Sequence, residues 1–335
     1  MAFNQIPREI RQSIFEWVIC SPIDPPASPS VSQKGRRRLT EDVFWEGGIW
    51  QLPPQNPALS LLLVNKQFHT EVNYVLQHTP TDYHVDIMFV KGYGLWTTWS
   101  IPVLPRTQYI DSVHATFRLF EPTDDLDPRF RGSLSFRGGD GGPPSAVWSF
   151  YRLLTALLTN GPGYLGPEPL GRPCDLRPRY VVNKVVVNVL APTDGAAHRS
   201  IVLGEEEENR VDARRFIDRS LHDASIAPEE RLARYMTGEL DHLLALSYHT
   251  MNYGMVLYEG VVDTIDFLVN GEEYKEFNMQ ELVREPEIAQ WGARRLDVLR
   301  RRQRYRKWRR WLDGRRRRMK DGLELDDNRP VTYIM

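Results

Sequence analysis

The spacing of apolar positions changes several times along the chain, and each change marks an element. From Ile6 to Val18 the apolar residues Ile6, Ile10, Ile14, Trp17 and Val18 recur at three and four, the period of one helix face. Pro7 suits the first helical position, where its missing N–H costs nothing, and Pro22, Pro25 and Pro26 end the helix near Cys20. A second helix is predicted from Ala58 to Gln77, with Leu61, Val64, Phe68, Val72 and Val75 as its stripe. The period then shortens to two. Tyr83–Val90 and Tyr109–Phe120 read as strands, the latter alternating Val113, Ala115, Phe117 and Leu119 with Ser112, His114, Thr116 and Arg118. Tyr180–Leu190 gives a third strand, and a fourth lies within Met255–Val269, closed by an Asn270-Gly271 turn. Further helices are predicted over 145–160, 211–222, 228–250 and from about Met279 to Lys320.

Between these elements the chain is irregular. Residues 21–57, rich in Pro, Ser, Gly and Arg, read as a long insertion, mobile around 25–40, with the Lys34–Arg38 run as a solvated loop. Phe44, Trp45, Ile49 and Trp50 would anchor its far end. Gly92–Pro102 reads as a Trp-containing loop, and 121–144 as a polar one. Strands alternating with helices predict a mixed α/β (α+β) fold: about four strands side by side, helices on one face, too few strands for a barrel. Three regions follow: helices with an insertion over 1–80, an α/β body over 81–280, and a basic helix with a frayed tail over 281–335.

Composition narrows the class. Of 335 residues 41% are hydrophobic and 26% charged, and nine Trp, 14 Tyr and 13 Phe argue for a packed core rather than disorder. Two cysteines, Cys20 and Cys174, cannot build a disulfide scaffold or a cysteine-rich zinc site. No apolar run approaches the roughly 18 residues that span a bilayer. Arg8, Glu9 and Arg11 stand where a signal peptide needs an apolar core. The expectation is an intracellular protein, cytoplasmic or nuclear, with no membrane partner. The net charge of −1 hides an asymmetry: Arg294–Lys320 holds 15 Lys and Arg against two acids, +13, so the remainder stands near −14. Tyr305, Trp308 and Leu312 share a helix face there, surrounded by Arg301, Arg302, Arg304, Arg306, Arg309 and Arg310. With Lys307, Arg315, Arg316, Arg317 and Arg318 these form a candidate contact for nucleic acid or an import receptor, with Trp308 and Trp311 available to stack on bases. The alternative is that the basic segment folds back onto an acidic body.

Catalytic chemistry is not legible. None of the eight histidines forms HExxH or another compact metal pattern. Gly92 and Gly94 lack the third glycine of a dinucleotide loop. The run Gly138, Gly139, Gly141 and Gly142 lacks a P-loop lysine. Cys174 has Arg172 and Arg177 nearby but no assignable base. The expectation is no catalytic residue, no metal and no cofactor.

Two segments carry a resemblance. Phe3–Phe15, F-x-x-I-P-R-E-I-R-x-x-I-F, resembles the LP-x-E-I opening of F-box domains in their fungal F-box-like form. Leu62–Glu71, L-L-x-V-N-K-Q-F-H-x-E, is similar to that group's second signature. The strand near Asp86–Val90, the Trp-containing loop and the His114–Phe120 strand look, more loosely, like the body of ascomycete F-box-like proteins. The resemblance implies a non-enzymatic module: the N-terminal helices would bind the small adaptor subunit of an SCF-type ubiquitin ligase, and the body would hold a protein substrate. Ile6, Pro7, Ile10, Ile14 and Phe15 would make the adaptor contact. The spacing departs from the family, because 21–57 intervenes between the signatures. The same residues could equally be core of one mixed domain, with the motif as a structural cap.

Overall fold

The computed structural model describes residues 3–39, 48–53, 57–131, 145–165, 178–196, 198, 223–246, 250–281, 295–325 and 329–330. Helices are α1 (Arg8–Cys20), α2 (Pro57–Leu62), α3 (Lys66–His78), α4 (Ser145–Asn160), α5 (Pro228–Leu244), α6 (Met251–Gly260) and α7 (Arg295–Lys320). Strands are β1 (Arg37–Arg38), β2 (Ile49–Gln51), β3 (Asp82–Val90), β4 (Gly94–Ser100), β5 (Tyr109–Phe120), β6 (Val181–Leu190), β7 (Val261–Val269) and β8 (Glu272–Asn278). They make one sheet in the order β1-β2-β4-β3-β5-β6-β7-β8. The four strands expected from alternation are its centre, β3, β5, β6 and β7, all parallel neighbours. The expected count of about four strands is therefore corrected to eight among the described residues. β4 lies within the expected Gly92–Pro102 loop; all seven of its residues are buried, which erases the period of two. β8 is a largely exposed edge, and its hairpin from β7 turns at Asn270 (φ 53°) and Gly271 (φ 86°), the dipeptide expected to turn there.

Three helix boundaries also move. The single helix expected over 58–77 is broken at 63–65, where the Asn65 side chain accepts from Phe68 N (2.9 Å) and caps α3. The helix expected over 228–250 ends at Leu244, and Leu246 takes φ 52°. The first residues of the fourth strand window, Met255–Gly260, belong to α6, since a continuous apolar run fits a buried helix as well as a strand. Met279 and Gln280 lie in a turn after β8; the described part of the last helix begins at Arg295. The helix expected over 211–222 falls outside the described residues, as do Phe44, Trp45, the 138–142 glycines, Cys174, His222 and His249.

Helices α4 to α7 cover one face of the sheet. Val113, Ala115, Phe117, Val185, Val187, Ile265 and Phe267 meet Leu154, Leu157, Leu232, Met255, Trp308 and Leu312 in one core. α5 and α6 approach so closely that a Cβ on Gly254 would stand 2.1 Å from Leu243 O. The opposite face is polar and half-exposed at its centre. It carries His84, His114, Thr116, Lys184 and Asp266, with Lys184 Nζ bonded to Asp266 Oδ2 (2.6 Å) and Arg118 Nε to Asp86 Oδ1 (2.6 Å). Parallel strands are ordinarily covered on both faces, so this is a departure. Part of that face is covered by 21–39, which is pinned and not a mobile loop. Ile23 N donates to Ser100 Oγ (2.8 Å) and Arg118 Nη2 to Pro26 O (2.8 Å). Within the Lys34–Arg38 run, Arg36 is buried and donates to Ser32 O, Trp50 O, Thr97 O and Ser32 Oγ; burial pulls its guanidinium down to about 9, still charged at neutral pH.

α7 is docked against this core. Tyr305, Trp308, Leu312 and Met319 turn inward, and Trp308 Nε1 donates to Glu259 Oε1 (2.6 Å) at the end of α6. Arg329 Nη2 lies 2.9 Å from the same oxygen. Burial pushes the Glu259 carboxyl up, while Arg329 and the Trp308 N–H pull it back. Removing one partner of a buried ion pair strands the other. Glu259→Ala is therefore expected to cost about 3–5 kcal/mol and lower the thermal midpoint; a midpoint equal to wild type would contradict the docking.

Candidate functional site

The two sequence signatures meet in space. α1, α2 and α3 share a small core of their own, made by Phe15, Ile19, Ala58, Val72 and Val75 with Phe3, Leu61 and Phe68 packed against it. Phe3, Phe15 and Phe68 have ring centroids 5.0–5.7 Å apart. Arg11, from the first signature, forms a two-point ion pair with Glu71, from the second: Nε donates to Oε2 at 2.9 Å and Nη2 to Oε1. Gln67 Nε2 donates to Glu71 as well (3.1 Å). The unit is fastened to the sheet region where Arg106 donates to Leu76 O and Gln77 O (3.1 and 3.2 Å).

This arrangement turns α1 over relative to its sequence pattern. The buried face is Arg11, Phe15 and Ile19, not the Ile6, Ile10, Ile14 and Val18 stripe. An arginine reads as a surface residue until its carboxylate partner is known. Of the expected contact residues, Pro7 and Ile10 are exposed and Ile6 and Ile14 half-buried. Phe15 is 1% exposed; it is core, and no partner can reach it without unpacking the unit. Trp17, 74% exposed, belongs to the outward face; the sequence places it in the stripe of the first helix but not among the expected contact residues. Beside it a shallow groove of about 420 Å³ is lined by Ser13, Glu16, Trp17, Cys20, Ser21 and Pro22. Leu63, 76% exposed, and Val64 add apolar surface where the helix breaks before α3.

The basic residues of α7 divide into two sets. Arg315 is buried and donates to Pro178 O (2.8 Å), and Arg316 donates to Met279 O and Gln280 O (the latter 3.3 Å), so both are structural. Arg302, Arg304, Arg306, Lys307, Arg310, Arg317 and Arg318 are exposed and Arg309 is half-exposed; the Arg301 side chain lies outside the described residues. Trp308 is fully buried and Trp311 lies under Arg315 (5.5 Å), which corrects the expectation that they stack on bases. Among the described residues the segment folds back through an aromatic seam and one buried carboxylate.

Other chemistry is sparse among the described residues. His84 and His114 stack face to face on adjacent strands (4.9 Å), and burial lowers both pKa values. His198 Nε2 bonds Asp194 Oδ1 (2.7 Å) and its Nδ1 lies 3.9 Å from Glu121, at the carboxyl ends of β5 and β6; at 3% exposure it fastens a loop. Burial raises the Cys20 thiol pKa. No group of three or more His, Cys, Asp or Glu could hold a metal among these residues, and no described helix is long and apolar enough to cross a membrane.

No protein family, no curated protein and no solved structure matches the chain.

Arg11 holds the Glu71 carboxyl below the usual carboxylate range. A depressed folded pKa gives stability that is complete above the unfolded value of about 4.3 and lost as pH falls through the folded one. Acid should loosen the α1–α3 unit. Methyl NMR signals of Val72 and Val75 followed from neutral to acid pH would show it, and Glu71→Gln should loosen the unit already at neutral pH. Identical titrations for the two proteins would contradict this.

Proposed function

We propose that the chain is a non-enzymatic, F-box-like interaction module. Its N-terminal unit docks the small adaptor subunit of an SCF-type ubiquitin ligase, and its α/β body offers a surface to a protein substrate. The observation that carries the reading is the outward apolar stripe of α1. Pro7, Ile10 and Trp17 face solvent, with Ile6 and Ile14 half-buried beside them, while Arg11, Phe15 and Ile19 hold the helix from beneath. An apolar stripe on a firmly seated helix suits a helix-in-groove contact, in which a few large side chains carry the affinity. The half-exposed polar face around His114, Lys184 and Asp266 is the body's candidate surface for the substrate.

The contact divides by residue. Pro7→Ala with Ile10→Ala should abolish co-elution with the adaptor on gel filtration and leave far-UV circular dichroism unchanged, because both side chains are exposed. Trp17→Ala alone should weaken the complex by about thirtyfold or more, the effect of losing a hot-spot aromatic. Absence of any wild-type complex, or a complex indifferent to these changes, would contradict the reading.

A further inference from the structure

We infer that the solvent face of α7 is a docking surface for the phosphate backbone of double-stranded, B-form DNA, independent of the N-terminal contact. Docking fixes which cations face outward. With Tyr305, Trp308, Leu312, Arg315 and Met319 inward, a spacing of about 100° per residue places Arg306, Arg310 and Arg317 along the line pointing away from the body. Arg302 stands on one flank and Lys307 and Arg318 on the other, so the cations cover an arc of roughly 160°. Among the described residues of that face the acids are Asp313 and, at the end of the helix, Asp321, against six cations. Cations on both flanks of one helix match phosphates on both walls of a groove.

Three features select the ligand. First, among the described residues of α7 no tryptophan offers an open face for single strands to stack on: Trp308 is buried and Trp311 is half-buried beneath Arg315. Second, a helix that lies in a bilayer surface needs a free apolar face, and the apolar face of α7 is consumed by the core; Leu299, near its start, is the exception. Third, the major groove of B-form DNA admits an α-helix, whereas that of A-form RNA is too deep and narrow. Phosphate contacts by these cations carry no sequence information of their own. The binding is sequence-independent and electrostatic, and its strength is set by counterion release.

Fluorescence anisotropy of the full chain with a short labelled DNA duplex tests this. If the six named cations engage, log affinity should fall against log salt with a slope of about −5, a loss of about a thousandfold from low to physiological salt. Arg302→Gln, Arg310→Gln and Arg317→Gln together should flatten the slope by about 3. An unchanged thermal midpoint should show that docking survives, because none of the three holds the helix to the core. Four results would each overturn the inference: no duplex binding at low salt, single strands bound as tightly as duplex, RNA duplex bound as tightly as DNA, or a triple variant that binds as wild type does. Phosphatidylserine vesicles bound in preference to DNA would assign the face to a membrane surface and equally overturn it.

Discussion

The exterior of this protein depends on one buried carboxylate. Glu259 ends α6 just before the chain enters β7, shielded from solvent, and its Oε1 receives both the Trp308 N–H and the Arg329 guanidinium. A carboxylate in that position is costly unless it is fully engaged. The engagement decides the rotation of α7 about its axis. Once Trp308 must reach Glu259, Tyr305, Leu312 and Met319 follow it inward, and most of the arginines have no place but the surface. Arg315 confirms the rotation from the other end by donating to Pro178 O, and the chain after the helix is tied by Tyr109 Oη to Leu323 O (2.6 Å). A sequence with a charge of +13 over 27 residues thus becomes a docked helix with one apolar and one cationic side.

The sheet supplies the rigid support. Its four parallel strands place Val, Ile, Ala and Phe at every second position against the helices, and they put ionisable groups on the reverse. The reverse face is tolerable because its charges are paired where they meet, as in Lys184 with Asp266 and Arg118 with Asp86. It is also partly roofed by 21–39, where Arg36 is held by backbone carbonyls and lies over the Trp96 ring (5.1 Å). The N-terminal helices stand apart with a core of their own, so a partner on α1 and a ligand on α7 would engage different surfaces.

What the sequence revealed follows the physics of patterning. β5 and β6 were legible because each has one wet and one dry face, and the Asn270-Gly271 turn because its backbone demands positive φ. β4 was not, because it is dry on both sides. Asn65 could have been read as a cap before Lys66, a signal overridden by the continuing apolar stripe of Val64 and Phe68. The seating of α1 on Arg11, Phe15 and Ile19 was beyond periodicity. It turns on a pairing between residues sixty positions apart, Arg11 and Glu71, which composition and periodicity do not encode. For the same reason the arginines of α7 looked equivalent in sequence; Arg315 differs from Arg317 only in what the fold brings to it.

The central claim is that α7 is a fixed part of the folded body, with its cationic side alone presented to solvent. Hydrogen–deuterium exchange of the full-length protein over Tyr305–Lys320, compared with β6 as an internal standard, tests it most directly. Docking through Glu259 requires amides there to exchange orders of magnitude more slowly than an open chain, approaching the protection of the sheet. Exchange at the rate of an unstructured peptide would mean a helix free of the core, and the division of its arginines into structural and exposed sets would fall with it.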